Sequence, residues 1–195
     1  MANMLAMTAA YLDLLLLNHW LTPSLVGIYA LAVNLASKAD VINQSLHAVL
    51  LPTASALHNE EAVRQYLRQG LMRNGLLSLA LLPLFPLADP LITGIYGLEY
   101  AASVPLFQML LGVVVFDIVA KPALLLPFTF DQPKLLAAAD AARVATLAAI
   151  TTWMLPLFGP LGAVIARFAA RLLGAAVVVG ALVVQSRGER VIRKS

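Results

Sequence analysis

The sequence predicts an all-α, polytopic membrane helix bundle with six transmembrane helices. Of its 195 residues, 61% are hydrophobic and only 12% are charged, where a soluble domain carries about 25% charged residues. Mean hydropathy is +0.87. The apolar residues fall in helix-length blocks without the ten-residue alternation of an outer-membrane barrel, so each span closes its own backbone hydrogen bonds as a helix.

The spans are read at 2–20, 25–51, 71–93, 104–127, 134–156 and 161–185, making 1–185 one six-helix unit and 186–195 a basic cytoplasmic tail. The first block, from MANMLAMTAAYLD, has no basic n-region and is read as a helix that carries Asp13 rather than as a signal peptide. The second lies within IYALAVNLASKADVINQSLHAVLLPTASALH, which has the length of a span but a polar middle: Asn34, Ser37, Lys38, Asp40, Asn43, Gln44, Ser45 and His47. Ionised groups at membrane depth face other helices or water, so this helix is expected to be buried and to line a path. Lys38 and Asp40 are about 200° apart around a helix and cannot pair with each other.

Between the second and third blocks, HNEEAVRQYLRQGL reads as a separate amphipathic helix on the membrane surface, with Asn59 as N-cap and Glu60 opposite Arg64. The third span contains Pro83 and Pro86, which predict a bend, and ends around Ala88-Asp89-Pro90 with Asp89 as a solvated cap. The fourth holds Asp117 and Lys121 on one face at the spacing of an internal ion pair, with Pro122 next. That proline removes the donor that would bond the Ile118 carbonyl, which makes a hinge beside a protonatable carboxylate the alternative reading.

Asp140 and Arg143 form a possible local pair in the alanine-rich fifth span. The sixth places Arg167 and Arg171 on one face, where like charges repel, so Asp13, Asp40, Asp140 or an anionic ligand such as a phosphate must face them. Gly162, Ala166, Ala170 and Gly174 form a small-residue seam beside that face.

Arg64, Arg68, Arg73, Lys134, Arg187, Arg190, Arg193 and Lys194 flank the second and fourth connections or the tail, which places both termini in the cytoplasm. Trp20, Tyr29, Tyr96, Tyr100, Trp153 and Phe158 on the other side suggest an aromatic belt. The basic residues lie at span ends and inside spans, so the net charge of +3 does not point to nucleic acid. Five bases (Lys38, Lys121, Arg143, Arg167, Arg171) and four aspartates (Asp13, Asp40, Asp117, Asp140) sit inside spans. Nine such groups call for a polar cavity, and the small cationic excess favours an anionic head group.

There is no cysteine, and no phosphate loop, dinucleotide fingerprint, HExxH or GxSxG motif. His19, His47 and His58 lack metal-ligand spacing and are read as interfacial, buried-polar and connector residues. No cofactor, metal or catalytic residue is expected.

Asp13 with LLLLNHWLTPSLVGIYALAVNLAS, the LLPTASAL span end, the turn IYGLEYAASVPLFQML and the FGPLGAVIAR start of the sixth span resemble bacterial polysaccharide exporters. These are lipid-linked oligosaccharide flippases of the multidrug, oligosaccharidyl-lipid and polysaccharide exporter superfamily. The resemblance implies one lobe, the C-terminal one, of a two-lobe inner-membrane transporter that passes an undecaprenyl-diphosphate-linked sugar across the membrane by alternating access. It implies that Lys38, Arg143, Arg167 and Arg171 contact substrate, and leaves Asp13, Asp40, Asp117, Lys121 and Asp140 as coupling or gating groups. Partners would be the lipid-linked oligosaccharide, membrane lipids, and either a missing N-terminal lobe or a second copy of the chain. A cation-coupled multidrug exporter and a non-transporting scaffold with every charge paired are the competing readings, with an intramembrane enzyme behind them.

Overall fold

The computed structural model describes residues 17–57, 59–129 and 133–192. Asp13, His58 and the side chain of Asp140 lie outside the described residues, as do the side chains beyond 180. The described chain opens on a helical turn, 17–20 (α1), followed by α2 (Pro23–Ser55), α3 (Glu60–Leu79), α4 (Leu84–Tyr96) and a 3-10 turn at Leu98–Tyr100. Then come α5 (Ser103–Leu124), the short α6 (Leu126–Thr129), α7 (Pro133–Phe158) and α8 (Pro160–Ile192).

All regular structure among the described residues is helical, and five stretches are long and apolar enough to cross a membrane: Pro23–Ser55, Glu61–Tyr96, Ser103–Leu124, Ala141–Phe158 and Pro160–Val178. The protein is a polytopic helical bundle. The first expected span lies outside the described residues except for 17–20.

Two boundaries differ from the sequence expectation. The amphipathic connector is not a separate helix: Asn59 does cap it, accepting from the Ala62 N–H at 2.7 Å, but the helix continues to Leu79. Nothing in RQGLMRNGLLSL stops a helix, because both glycines are tolerated inside one. The chain breaks instead at 80–83, where Pro83 becomes the N-cap of α4. That helix then runs through Pro90 to Tyr96, so Asp89 sits in mid-helix, exposed, rather than capping an end.

The most deeply buried span is α5, which packs against α2, α3, α4 and α8. Polar rungs tie it to three neighbours. Ser103 Oγ donates to the Ile28 carbonyl of α2 at 2.9 Å, and Gln108 Nε2 donates to the Phe85 carbonyl of α4 at 2.8 Å. Asn74 Nδ2 of α3 donates to the Ile118 carbonyl at 2.8 Å. In a medium without water, such bonds to backbone oxygens hold helices in register. Between them the core is apolar, with Tyr29, Ala32, Ile92, Leu111 and Val164 almost fully buried.

The other tight pairing is the α7–α8 hairpin. Gly159 turns it at φ +57° and Pro160 starts α8, a glycine-then-proline junction suited to a helix stop and restart. The seam read from sequence is present: Gly162, Ala166, Ala170 and Gly174 are all buried. A Cβ on Gly162 would stand 2.6 Å from the Met154 carbonyl oxygen, so the two helices approach at backbone contact. Of the supposed aromatic belt, Trp20, Tyr96, Trp153 and Phe158 are exposed, but Tyr29 is core, fully enclosed between helices.

Candidate polar site within the spans

The polar helix α2 is not buried as the sequence suggested. Its apolar side goes inward through Tyr29, Ala32 and Ala36, while Asn34, Ser37, Lys38, Val41, Gln44, Ser45, His47 and Ala48 are exposed. His47 is therefore an exposed residue, not a buried polar one. The positions 34, 37, 38, 41, 44, 45 and 48 recur at helical spacing and form one stripe. Ser37 and Ser45 return their hydroxyls to carbonyls one turn back, Asn34 at 2.7 Å and Val41 at 3.0 Å, which leaves each hydroxyl oxygen able to accept. A stripe of this chemistry on a membrane span belongs against water or protein, not acyl chains.

Beside the stripe, Asp40 and Asn43 turn toward the core. Asn43 is buried and donates through Nδ2 to Asp40 Oδ1 at 2.9 Å and, at 3.4 Å, to the Val114 carbonyl of α5. Asp40, which needed a partner, finds one on its own helix three residues on. Asn43 Oδ1 is enclosed and has no hydrogen-bond partner among the described residues.

One turn along α5 from Val114 lies Asp117, with only 3% of its side chain exposed, and its Oδ2 accepts from Arg171 Nη1 of α8 at 2.9 Å. Asp117 therefore makes its ion pair across helices rather than with Lys121, and it is an acid that faces Arg171; Asp13 and the side chain of Asp140 lie outside the described residues. The cause is helix packing: α8 lies against α5 and Phe168 meets Phe116 edge-on at 6.2 Å, which brings the planar guanidinium to the carboxylate. Arg171 keeps 34% of its side chain exposed, so its remaining donors still face outward.

Asp117 also lies within electrostatic reach of Lys121, Asp40 and Arg143. Among the described residues the structure thus gathers Asp40 and Asp117 with Lys121, Arg143 and Arg171 from α2, α5, α7 and α8, and Arg143 has a further interaction of its own. Arg167, one turn before Arg171, is half-buried and has its own interaction. Lys38 stands apart, on the opposite flank of α2 from Asp40. Asp117 is fourteen residues from the start of α5 and seven from its last residue, Leu124, so the nearer helix end is about 10 Å away and the cluster lies within a stretch long and apolar enough to cross a membrane.

Pro122 sits just beyond. The Ile118 carbonyl, which it leaves without a helical donor, is the oxygen that Asn74 bonds, and a Cβ on Gly70 would meet the Pro122 ring at 2.8 Å. Asn74 was missed in the sequence. The one available signal was the orphan carbonyl itself, which demanded a polar side chain from a neighbouring span.

The sequence pattern of a family described as polysaccharide biosynthesis protein matches residues 1–105, through α2, α3 and α4. The chain belongs to that family. No curated protein and no solved structure matches it. The matched region carries the polar stripe, Asp40, Asn43 and Asn74, while Asp117, Lys121, Arg143, Arg167 and Arg171 lie beyond it. Family membership upholds the coarse form of the resemblance, a multi-pass membrane protein of polysaccharide-exporter type. Among the described residues no group of histidines, cysteines or carboxylates stands close enough to hold a metal ion.

Proposed function

We propose that the chain is a lobe of a bacterial inner-membrane flippase that passes an undecaprenyl-diphosphate-linked oligosaccharide across the bilayer by alternating access. The observation that carries this reading is the Asp117–Arg171 pair, set at membrane depth with Lys121 and Arg143 around it. Cations at that depth are costly unless an anion or water compensates them. A diphosphate brings negative charge to where Arg171 and Lys121 present their cations beside Asp117.

Arg171 suits this role because a guanidinium can hold Asp117 through one nitrogen while presenting others to a phosphate oxygen. The uncovered stripe of α2 gives sugar hydroxyls a wall of hydrogen-bonding groups along the same passage. The facing wall comes from a second lobe or a second copy of this chain, since a polar stripe cannot be left to lipid. Both termini are cytoplasmic on the distribution of Lys and Arg.

The test is export in cells that depend on this protein for surface polysaccharide. Arg143→Ala and Arg171→Ala are expected to abolish surface polymer and leave lipid-linked precursor in the cytoplasmic leaflet. Normal polymer from both variants, expressed at normal level, overturns the reading.

A further inference from the structure

Asp117 depends on a partner that is itself partly free. Its carboxylate is 3% exposed, while Arg171, whose Nη1 it binds at 2.9 Å, keeps 34% of its side chain exposed. When an anionic oxygen from outside the pair takes the guanidinium, a carboxylate enclosed in the bundle loses its cation. Breaking a buried ion pair is strongly destabilising, because the remaining charge stays where water cannot reach it. Substrate gains Arg171 only at that cost unless a second cation stands ready for Asp117.

Lys121 is placed to be that cation. It lies four residues beyond Asp117 on α5, so both side chains project from one face with Cβ atoms about 5–6 Å apart. The acid precedes the base, which is the better order for such a pair. Among the described residues no salt bridge to Lys121 is found, although it lies within electrostatic reach of Asp117. Asp40, the other acid nearby, already accepts from Asn43 at 2.9 Å. Lys121 is only half-buried, and its flexible four-carbon stem lets the ammonium turn while the backbone stays in place. Arg143 comes from α7, so a bond to it would exchange one tie between helices for another.

We propose that Lys121 is the reserve partner of Asp117: when a phosphate oxygen takes Arg171, the ammonium closes on the carboxylate and α8 is released from α5. This deepens the transport reading and rests on it. In the empty state the Asp117–Arg171 bond ties the two helices together. After the exchange both charges of the new pair belong to α5, and the tie is gone. A cargo without negative charge has nothing to offer Arg171 and leaves the helices tied, so opening depends on an anionic head.

The experiment is a double-mutant cycle on the full chain in dodecyl maltoside, read by equilibrium unfolding with SDS. In the wild type, Lys121→Met should change the unfolding equilibrium constant by no more than about twofold, as for a residue without a bonded partner. In the Arg171→Ala background the same substitution should cost about tenfold, a coupling of the size found between residues that share a partner. Lys121→Arg should match the parent in both backgrounds. Where the Arg171→Ala, Lys121→Met variant does not fold, adding Asp117→Asn should recover it, since no buried charge then lacks a partner. A second readout places spin labels on cysteines at Met109 of α5 and Leu173 of α8, both exposed. In nanodiscs, farnesyl diphosphate should lengthen the distance between them, farnesol should not, and Lys121→Met should abolish the change.

An additive cycle overturns the proposal. So does a triple variant no more stable than the double, or a response to farnesyl diphosphate that survives Lys121→Met. The cycle contains no substrate, so the two readings fail separately. An additive cycle with export lost in Arg171→Ala removes the exchange alone; a coupled cycle with normal polymer from Arg143→Ala and Arg171→Ala removes the transport reading.

Discussion

Asn74 Nδ2 donates to the Ile118 carbonyl at 2.8 Å, and that oxygen is the one Pro122 deprives of its helical donor. The bond lets α5 carry a proline next to its charged residues without an unsatisfied carbonyl. Asn74→Leu is expected to destabilise the protein by about 1–3 kcal/mol, the cost of an orphaned buried acceptor. Adding Pro122→Ala, which restores the internal donor, should recover part of that loss. Thermal unfolding in detergent reads both; equal stability of Asn74→Leu and wild type would remove the role given to Asn74.

Asp117 and Arg171 behave as a unit across α5 and α8. Asp117→Asn should cost about 1.5–3 kcal/mol, as a hydrogen bond between charged groups does, and should impair export. The exchange Asp117→Arg with Arg171→Asp should recover stability in excess of the summed single effects, as coupled neighbours do. A double-mutant cycle measures it, and a coupling near zero would argue against the pair.

The α7–α8 contact predicts a contrast between two glycines. Gly162→Ala drives a methyl into the Met154 backbone and should cost about 1–3 kcal/mol, as overpacking does. Gly75→Ala has nothing within 4 Å to strike and should be neutral or stabilise α3 by up to about 1 kcal/mol. Melting temperatures of the two variants check this.

Much of the fold was legible because membrane helices advertise themselves by apolar length, and the Asn59 cap and the Gly162 to Gly174 seam by residue type. What failed was pairing between helices. The Asp117–Lys121 spacing pointed to a local ion pair, and only the packing of α8 on α5 reveals that Arg171 takes the carboxylate. The sequence showed α2 to be polar but not which flank the bundle leaves uncovered, since burial depends on neighbours. The orphan carbonyl of Ile118 was predicted by covalent chemistry alone, yet its donor came from another span, where no local rule could find it.

On the transport reading the uncovered stripe of α2 lines a wet passage, and a sequence without cysteine makes that directly measurable. Single cysteines at Ser37, Val41, Gln44 and Ala48, with Leu76 and Leu172 as lipid-facing controls, would be treated in membranes with a charged, membrane-impermeant thiol reagent. Modification is expected at the four stripe positions, with protection by bound lipid-linked substrate and no reaction at the two controls. Unreactive stripe positions, or equal reaction at all six, would contradict it.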